Sequence, residues 1–289
     1  MPIADLHRLD AALDAWSASG RGAVLVLTGA GISAESGIPT FRGADGYWTI
    51  GSRNYRPADF ATRAAFEQMP ERVWRFYLER IVRHRDARPN PGHRALVALE
   101  EGLGDRFLLV TQNVDGLHRR AGNSERRTYR IHGDLGQVRC AGRCADGPRP
   151  LPAAVQDLEA AALAAGPADL APGLRAALTC ATCGAWLRPH VLWFDECYDE
   201  DWFHFDSTLA AAGAAGLLCV IGTSGATNLP DLVVRRVDAR GAPMVVVGLD
   251  DSPFSERAAA SPRGAFVRGS AGLLVPRIVE GILRRESAA

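Results

Sequence analysis

The chain has 289 residues, 47% of them hydrophobic and 23% charged, with 33 basic residues balanced by 33 acidic ones. That length buries a full core as one large domain or one domain with an inset. Zero net charge gives no electrostatic case for a nucleic-acid or anionic-membrane partner. The start of the chain, Met1 to Arg8, lacks a basic-then-apolar signal pattern, and no apolar run approaches membrane-spanning length; a cytoplasmic protein is expected. All 33 basic residues are arginine, which reads as the bias of a GC-rich genome and leaves no lysine side chain to acylate.

In chain order, Leu6, Leu9, Leu13 and Trp16 recur at helical spacing and predict a helix over 5–16 that packs on a sheet edge. The run Ala23 to Leu27 reads as a buried parallel strand. It leads into Thr28-Gly29-Ala30-Gly31-Ile32-Ser33-Ala34, whose Gly29-x-Gly31-x-x-Ala34 spacing fits a dinucleotide fingerprint. In that pattern one glycine makes the turn, the next admits a pyrophosphate, and a small third residue packs helix on strand. A plain strand-to-helix turn has the same spacing. The tail Gly37-Ile38-Pro39-Thr40-Phe41-Arg42 sets this one apart, because a proline stops the helix early and an aromatic and an arginine follow. A long loop over 43–60 and helices over 58–68 and 71–86 come next, the second beginning after Pro70. Further strands are expected at 106–111, 189–194, 216–222 and 243–249. Alternating with helical patterns, they predict an open α/β sheet. The stretch 146–177 is rich in Ala, Pro, Gly and Leu and reads either as an insertion with helix around 153–165 or as a disordered loop.

Two polar clusters stand where strands end. Phe107 to Val110 runs into Thr111-Gln112-Asn113-Val114-Asp115-Gly116-Leu117-His118, and the carboxyl ends of strands are where open α/β sheets bind ligands. Tyr129-Arg130-Ile131-His132-Gly133-Asp134 follows, with His132 expected to close a strand and present a free ring. Cys140-x-x-x-Cys144 and Cys180-x-x-Cys183 lie 35 residues apart, a spacing suited to a structural Cys₄ zinc site; four unpaired thiols are the alternative. Cys219 falls in an apolar strand and Cys197 reads as a packed thiol.

These motifs together resemble the sirtuins, NAD-dependent protein deacylases. The resemblance rests on GAGISAESGIPTFRG from Gly29 to Gly43, TQNVDGLHRRAG from Thr111 to Gly122 and IHG at 131–133. The two cysteine pairs, LRPHVLWF from Leu187 to Phe194 and GTS at 222–224 complete it, all in the family's order. It implies one catalytic domain over 1–289: a Rossmann-like open parallel sheet with a smaller inset of a zinc-binding module, 135–190, and a cofactor loop and helical module, 43–104. It implies NAD as co-substrate, held by Gly29, Ala30, Gly31, Ser33, Glu35 and Thr40, with Phe41 and Arg42 over the reactive ribose. Gln112, Asn113 and Asp115 would line the nicotinamide and ribose pocket, while Gly222, Thr223, Ser224 and Asp250 would face the adenosine side. Asn113 and His132 would be catalytic. An acyl-lysine carbonyl oxygen attacks the anomeric carbon as nicotinamide leaves, and His132 then takes a ribose proton, a step suited to an imidazole titrating near neutrality. Free lysine and O-acyl-ADP-ribose follow. One structural zinc would sit on Cys140, Cys144, Cys180 and Cys183, and an acylated peptide would lie against Val191 and Phe194.

The chain departs from the family's usual wording in three places. Asp250 stands for a common asparagine, the loop after Ser224 differs, and Asp195 replaces a glycine where its side chain is expected to narrow peptide access or repel acidic sequences. Tyr77 and Arg80, one helical turn apart, resemble the Tyr-x-x-Arg of class III sirtuins, which implies a preference for succinyl- or malonyl-lysine through a bidentate arginine–carboxylate pair. Two other readings remain: an NAD hydrolase or ADP-ribosyltransferase using the same pocket, and a zinc-stapled NAD-binding module acting by interaction.

Overall fold

In the chain's computed structural model, residues 3–40, 57–142, 144, 147–158 and 170–288 are described. Phe41, Arg42, residues 43–56 of the expected loop and residues 159–169 of the expected insertion lie outside them. Among the described residues nine strands form: β1 Val24–Thr28, β2 Phe107–Thr111, β3 Thr128–Arg130, β4 Gly133–Cys140, β5 Arg149–Pro150, β6 Leu187–Val191, β7 Leu217–Ile221, β8 Met244–Gly248 and β9 Gly264–Arg268. The helices used below are α1 Ile3–Ala18, α2 Arg63–Gln68, α3 Pro70–His84, α4 Pro91–Leu103, α5 Phe205–Ala214, α6 Asn228–Ala239, α7 Pro253–Ala260 and α8 Ala271–Ser287.

Six strands pair in parallel in the order β3-β2-β1-β7-β8-β9. Their apolar runs are continuous because both faces are covered. Val24, Val26, Cys219, Ile221, Val245 and Val247 point into one core with α1, α4 and α8. Leu25, Leu27, Leu218, Val220 and Val246 point into the other with α5, α6 and α7. Helix α1 packs along the edge strand β9, as its apolar spacing predicts.

The apolar run near 189–194 is not part of this sheet. It forms β6, the partner of β4 in a separate antiparallel sheet ordered β5-β4-β6. Its Arg188 and His190 are buried, so the segment is not the apolar core strand it resembles. The guanidinium of Arg188 pairs with Glu196 (2.9 Å) and lies over the Trp193 ring, 3.4 Å from its centroid, which makes that burial tolerable. This small sheet shares a third core with Phe66, Trp74, Tyr77 and Leu78 of α2 and α3.

The helix expected over 58–68 is broken into Pro57–Phe60 and α2. Thr62 caps α2, its hydroxyl accepting from Ala65 N–H (3.1 Å). Asp195 adds a remote cap, its carboxylate accepting from the N–H groups of Arg63 (2.7 Å) and Ala64 (3.1 Å). Orphan helix amides thus engage this carboxylate, a structural role beyond the effect on peptide access expected from the sequence.

Candidate active site

The chain winds outward from β1 in both directions, to β2 and β3 on one side and to β7, β8 and β9 on the other. The crevice at the carboxyl ends of β1 and β7 is the topological switch point, where open α/β sheets take their ligands. After β1, residues Ala30–Ser36 form a 3₁₀ turn that ends at Gly37 in the left-handed region (φ 81°). The glycines have a different immediate neighbour from the one their spacing suggests. Gly31 N–H donates to the Gly222 carbonyl (2.8 Å), and a Cβ on Gly31 would lie 2.6 Å from Gly222 Cα. Gly222 itself has φ +62°, and a Cβ there would lie 2.5 Å from Ile32 N. The two loops that flank the crevice are therefore pressed backbone to backbone. Gly222→Ala should cost on the order of 3 kcal/mol, combining left-handed strain with overpacking. A urea midpoint equal to that of the unchanged protein would refute this.

Beside the turn, the polar residues at the end of β2 interlock. Gln112 Nε2 donates to Thr223 Oγ1 (2.8 Å), and its Oε1 accepts from Thr227 Oγ1 (3.0 Å), which ties β2 to the loop after β7. Asn113 Nδ2 donates to the Gly29 carbonyl and to Ser33 Oγ, both at 3.1 Å. Ser33 in turn donates to Asp115 Oδ2 (2.7 Å) and meets His93 Nε2 at 3.4 Å. Burial raises the Asp115 carboxyl against the Leu117 N–H and the Ser33 hydroxyl, which favour the ionised form. Ala30, Ser33, Asn113 and Asp115 line a cavity of about 490 Å³ that also reaches Arg80 on α3. Glu35 is not part of that lining. Its carboxylate accepts from Ser270 Oγ (3.0 Å) and Gly272 N–H (2.5 Å), capping α8, so its expected place on the cofactor is corrected. Ser224 and Asp250 are exposed at the ends of β7 and β8, and Thr40 is half-buried.

His132 lies two residues beyond β3, and its ring is engaged on both sides. Nδ1 is 3.1 Å from the Gln112 carbonyl, an acceptor only, which assigns the ring proton to Nδ1. Nε2 therefore carries the basic lone pair, and Tyr198 Oη stands 2.8 Å from it. Burial pushes the imidazole down to about 4, with the Gln112 carbonyl pulling the other way. The sequence leads to an imidazole titrating near neutrality, whereas burial here leaves the ring neutral above about pH 4. For a reaction that uses it, kcat/KM should stay level from pH 8 to 5.5, where an unshifted imidazole would be about nine-tenths protonated. A decline centred on pH 6.5, with the protein still folded, would contradict this.

Tyr77 and Arg80 share α3 and lie near enough for the guanidinium to oppose the effect of burial on the phenol. Tyr77 is 2% exposed, and its oxygen accepts from Trp193 Nε1 (2.8 Å). Burial pushes the phenol up to about 12. Arg80 lies at the cavity wall with its guanidinium 5.4 Å from the Phe76 ring centroid. Val191 is buried, whereas Phe194 is 60% exposed and its N–H donates to the Ala61 carbonyl.

The four cysteines converge at the far end of the small sheet. Cys144 Sγ lies 3.3 Å from Cys140 and Cys183 and 3.4 Å from Cys180, and all four sulfurs fall within 4.8 Å of one another. A zinc tetrahedron with 2.3 Å bonds has sulfur–sulfur edges of about 3.8 Å, so this donor set fits the ion. The N–H groups of Cys183 and Thr182 hold the Cys180 thiol below its ordinary value, which favours the thiolate that a metal requires.

Sequence reasoning missed His93, Tyr198, Thr227 and Trp193. Only His93 carries a local signal, since Asn90 and His93 form a capping box at the start of α4. The others reach the site across long sequence separations.

A cavity beside the glycine turn at the switch point, lined by Ser33, Asn113 and Asp115, with the His132 ring bonded to the adjoining Gln112 carbonyl, suits a nucleotide-using enzyme of the open α/β class. The Sir2 family model matches residues 29–228, and the chain belongs to that family. It is 42% identical over 258 residues to an NAD-dependent protein deacylase of Thermus thermophilus, an alignment spanning 88% of this chain and 89% of that one. A solved Sir2 homologue in complex with NAD superposes with a TM-score of 0.71 at 33% identity, covering 96% of this chain and 94% of the other. A Sir2 protein bound to a deacetylated p53 peptide and 3'-O-acetyl-ADP-ribose superposes with a TM-score of 0.68 at 26% identity, covering 89% and 92%. No helix among the described residues is long and apolar enough to cross a membrane.

Proposed function

We propose that this protein is an NAD-dependent protein-lysine deacylase, converting acyl-lysine and NAD into free lysine, nicotinamide and O-acyl-ADP-ribose. The observation that carries the reading is a cavity lined by Ala30, Ser33, Asn113 and Asp115 at the strand ends, with His132 next to it in the fold, its Nδ1 bonded to the carbonyl of Gln112, the neighbour of Asn113. NAD lies along the turn from Gly29 to Ser33, its adenosine end toward Gly222, Thr223, Ser224 and Asp250. Gln112, Asn113 and Asp115 surround the nicotinamide ribose, and Thr40 leads toward it. The acyl carbonyl oxygen attacks the anomeric carbon as nicotinamide departs. His132 then accepts a proton from the ribose hydroxyls, freeing an oxygen to attack the acyl carbon. A zinc ion on Cys140, Cys144, Cys180 and Cys183 would staple the small sheet, with no place in the chemistry because all four positions are sulfur. Cysteines held reduced for a metal in this way suit the reducing cytoplasm.

The peptide is read as lying over Val191 and the exposed Phe194. For the acyl group, Arg80 at the wall of the cavity that holds Asn113 and Asp115 supports a preference for acidic chains, with Tyr77 behind it. Arg80→Met should lower the desuccinylation-to-deacetylation ratio at least about tenfold, the loss of a charge-assisted pair. An unchanged ratio refutes the preference and leaves deacylation standing.

The decisive assay supplies NAD with acetyl-, succinyl- and malonyl-lysine peptides and identifies the products. O-acyl-ADP-ribose is expected. Free ADP-ribose made equally well without peptide would instead mark an NAD hydrolase.

A further inference from the structure

His132 has one in-plane lone pair, on Nε2, because Nδ1–H is directed at the Gln112 carbonyl. That lone pair is already occupied. Tyr198 Oη lies 2.8 Å from it, and with an acceptor facing it the phenol must be the donor. A substrate hydroxyl therefore reaches Nε2 either after the phenol leaves or through it. The ring is held in place, stacked on Phe205 at 6.1 Å between centroids and packed with Leu209 against the core that α5 and α6 share with the sheet. The phenol oxygen also stands by Thr227, whose hydroxyl donates to Gln112 Oε1 across the crevice.

We propose that Tyr198 relays the proton to His132, the substrate hydroxyl donating to the phenol oxygen while the phenol passes its own proton to Nε2. The inference rests on the deacylase reading above. In the transfer, the ribose O–H bond breaks as a new phenol O–H forms, and the original phenol O–H breaks as an N–H forms on Nε2. The electron pair left on the ribose oxygen makes the new C–O bond at the acyl carbon. Tyr198 ends neutral and unchanged, and His132 holds the proton until a later step returns it. Burial keeps this phenol neutral by pushing it up to about 12, so that it has a proton to pass at any working pH.

Tyr198→Phe keeps the ring and removes the relay. The test measures O-acyl-ADP-ribose formation together with exchange of labelled nicotinamide into NAD, a reaction that precedes any proton transfer to His132. Product formation should fall about 10–100-fold through kcat, with KM for NAD and peptide and the exchange rate within about twofold of the unchanged protein. Unchanged or faster product formation would overturn the proposal, the latter showing that the phenol competes with substrate for Nε2. A parallel loss of exchange would also overturn it, as the mark of a merely structural role. If the phenylalanine variant fails to fold, 3,5-difluorotyrosine at position 198 supplies the second readout. Its more acidic phenol should move the alkaline loss of deacylation to lower pH, and an unmoved profile would refute the relay. A wild-type protein that forms no O-acyl-ADP-ribose from any acyl peptide would be a different result, ending the deacylase reading itself.

Discussion

In His132→Ala, formation of O-acyl-ADP-ribose should fall about 10²–10⁴-fold, the range for removal of a general base. The protein should stay folded. The ring is half-buried and makes two hydrogen bonds, so its loss leaves the Gln112 carbonyl and the Tyr198 hydroxyl to find other partners, at about 1–3 kcal/mol. NAD binding should change little, because the glycine turn, Asn113, Ser33 and Asp115 are held by bonds that do not involve the imidazole. Exchange of labelled nicotinamide into NAD should survive, since the imidazole is needed only after nicotinamide has left. Titration calorimetry with NAD and product analysis by mass spectrometry check the two halves separately. A variant that still forms O-acyl-ADP-ribose at a tenth of the original rate would remove His132 from the base role. Deacylation and exchange failing together would place its contribution before the ribose step.

The second large effect is expected in Cys180→Ser/Cys183→Ser. Two of four sulfurs within 4.8 Å of one another would be lost, and a zinc ion left with two thiolates falls far short of its tetrahedral set. Structural zinc binding is worth about 10–16 kcal/mol, so its loss exceeds what a three-stranded sheet with a short edge strand can supply. Metal analysis should go from about one zinc per chain to none. The damage should also be local. Val138, Cys140 and Leu187 belong to the core shared with α2 and α3, whereas the two cores flanking the parallel sheet contain no residue of the cysteine module. Hydrogen exchange should therefore rise across β4 and β6 while β1 and β7 stay protected. Full zinc occupancy in the variant would refute the ligand set, and equal loss of protection in all strands would refute the separation of cores.

Much of the parallel sheet is legible in the sequence. β1, β2, β7 and β8 are continuous apolar runs, because a strand covered on both faces has no polar side to interrupt it. β9 gives no such signal: Gly264-Ala265-Phe266-Val267-Arg268 is short, begins with glycine and sits at the sheet edge. β6 misleads in the opposite way: the apolar run at 189–194 reads as one more core strand, while the strand that forms, Leu187–Val191, carries Arg188, buried through partners eight and five residues away, Glu196 and Trp193. The same long-range pairing hides Asp195, whose helix-capping role depends on a segment 132 positions earlier in the chain. At the site, the residues within one motif, such as Asn113 and Asp115, could be named from sequence. Tyr198 could not, because nothing local distinguishes a tyrosine that meets a histidine 66 residues before it.

The 3₁₀ turn from Ala30 to Ser36 is held from three directions. Gly31 bonds to the loop after β7, Asn90 Nδ2 donates to the Ile32 carbonyl (2.7 Å) and to Ser36 Oγ (3.1 Å), and Glu35 reaches across 237 positions to Gly272. The conformational entropy of this wall is thus lost when the chain folds rather than when a dinucleotide arrives. A ligand bound along this turn would meet a wall already ordered by these bonds. A change at the start of α8 that frees the Glu35 carboxylate should therefore loosen the turn from a distance and, on the deacylase reading, weaken NAD binding in a calorimetric titration.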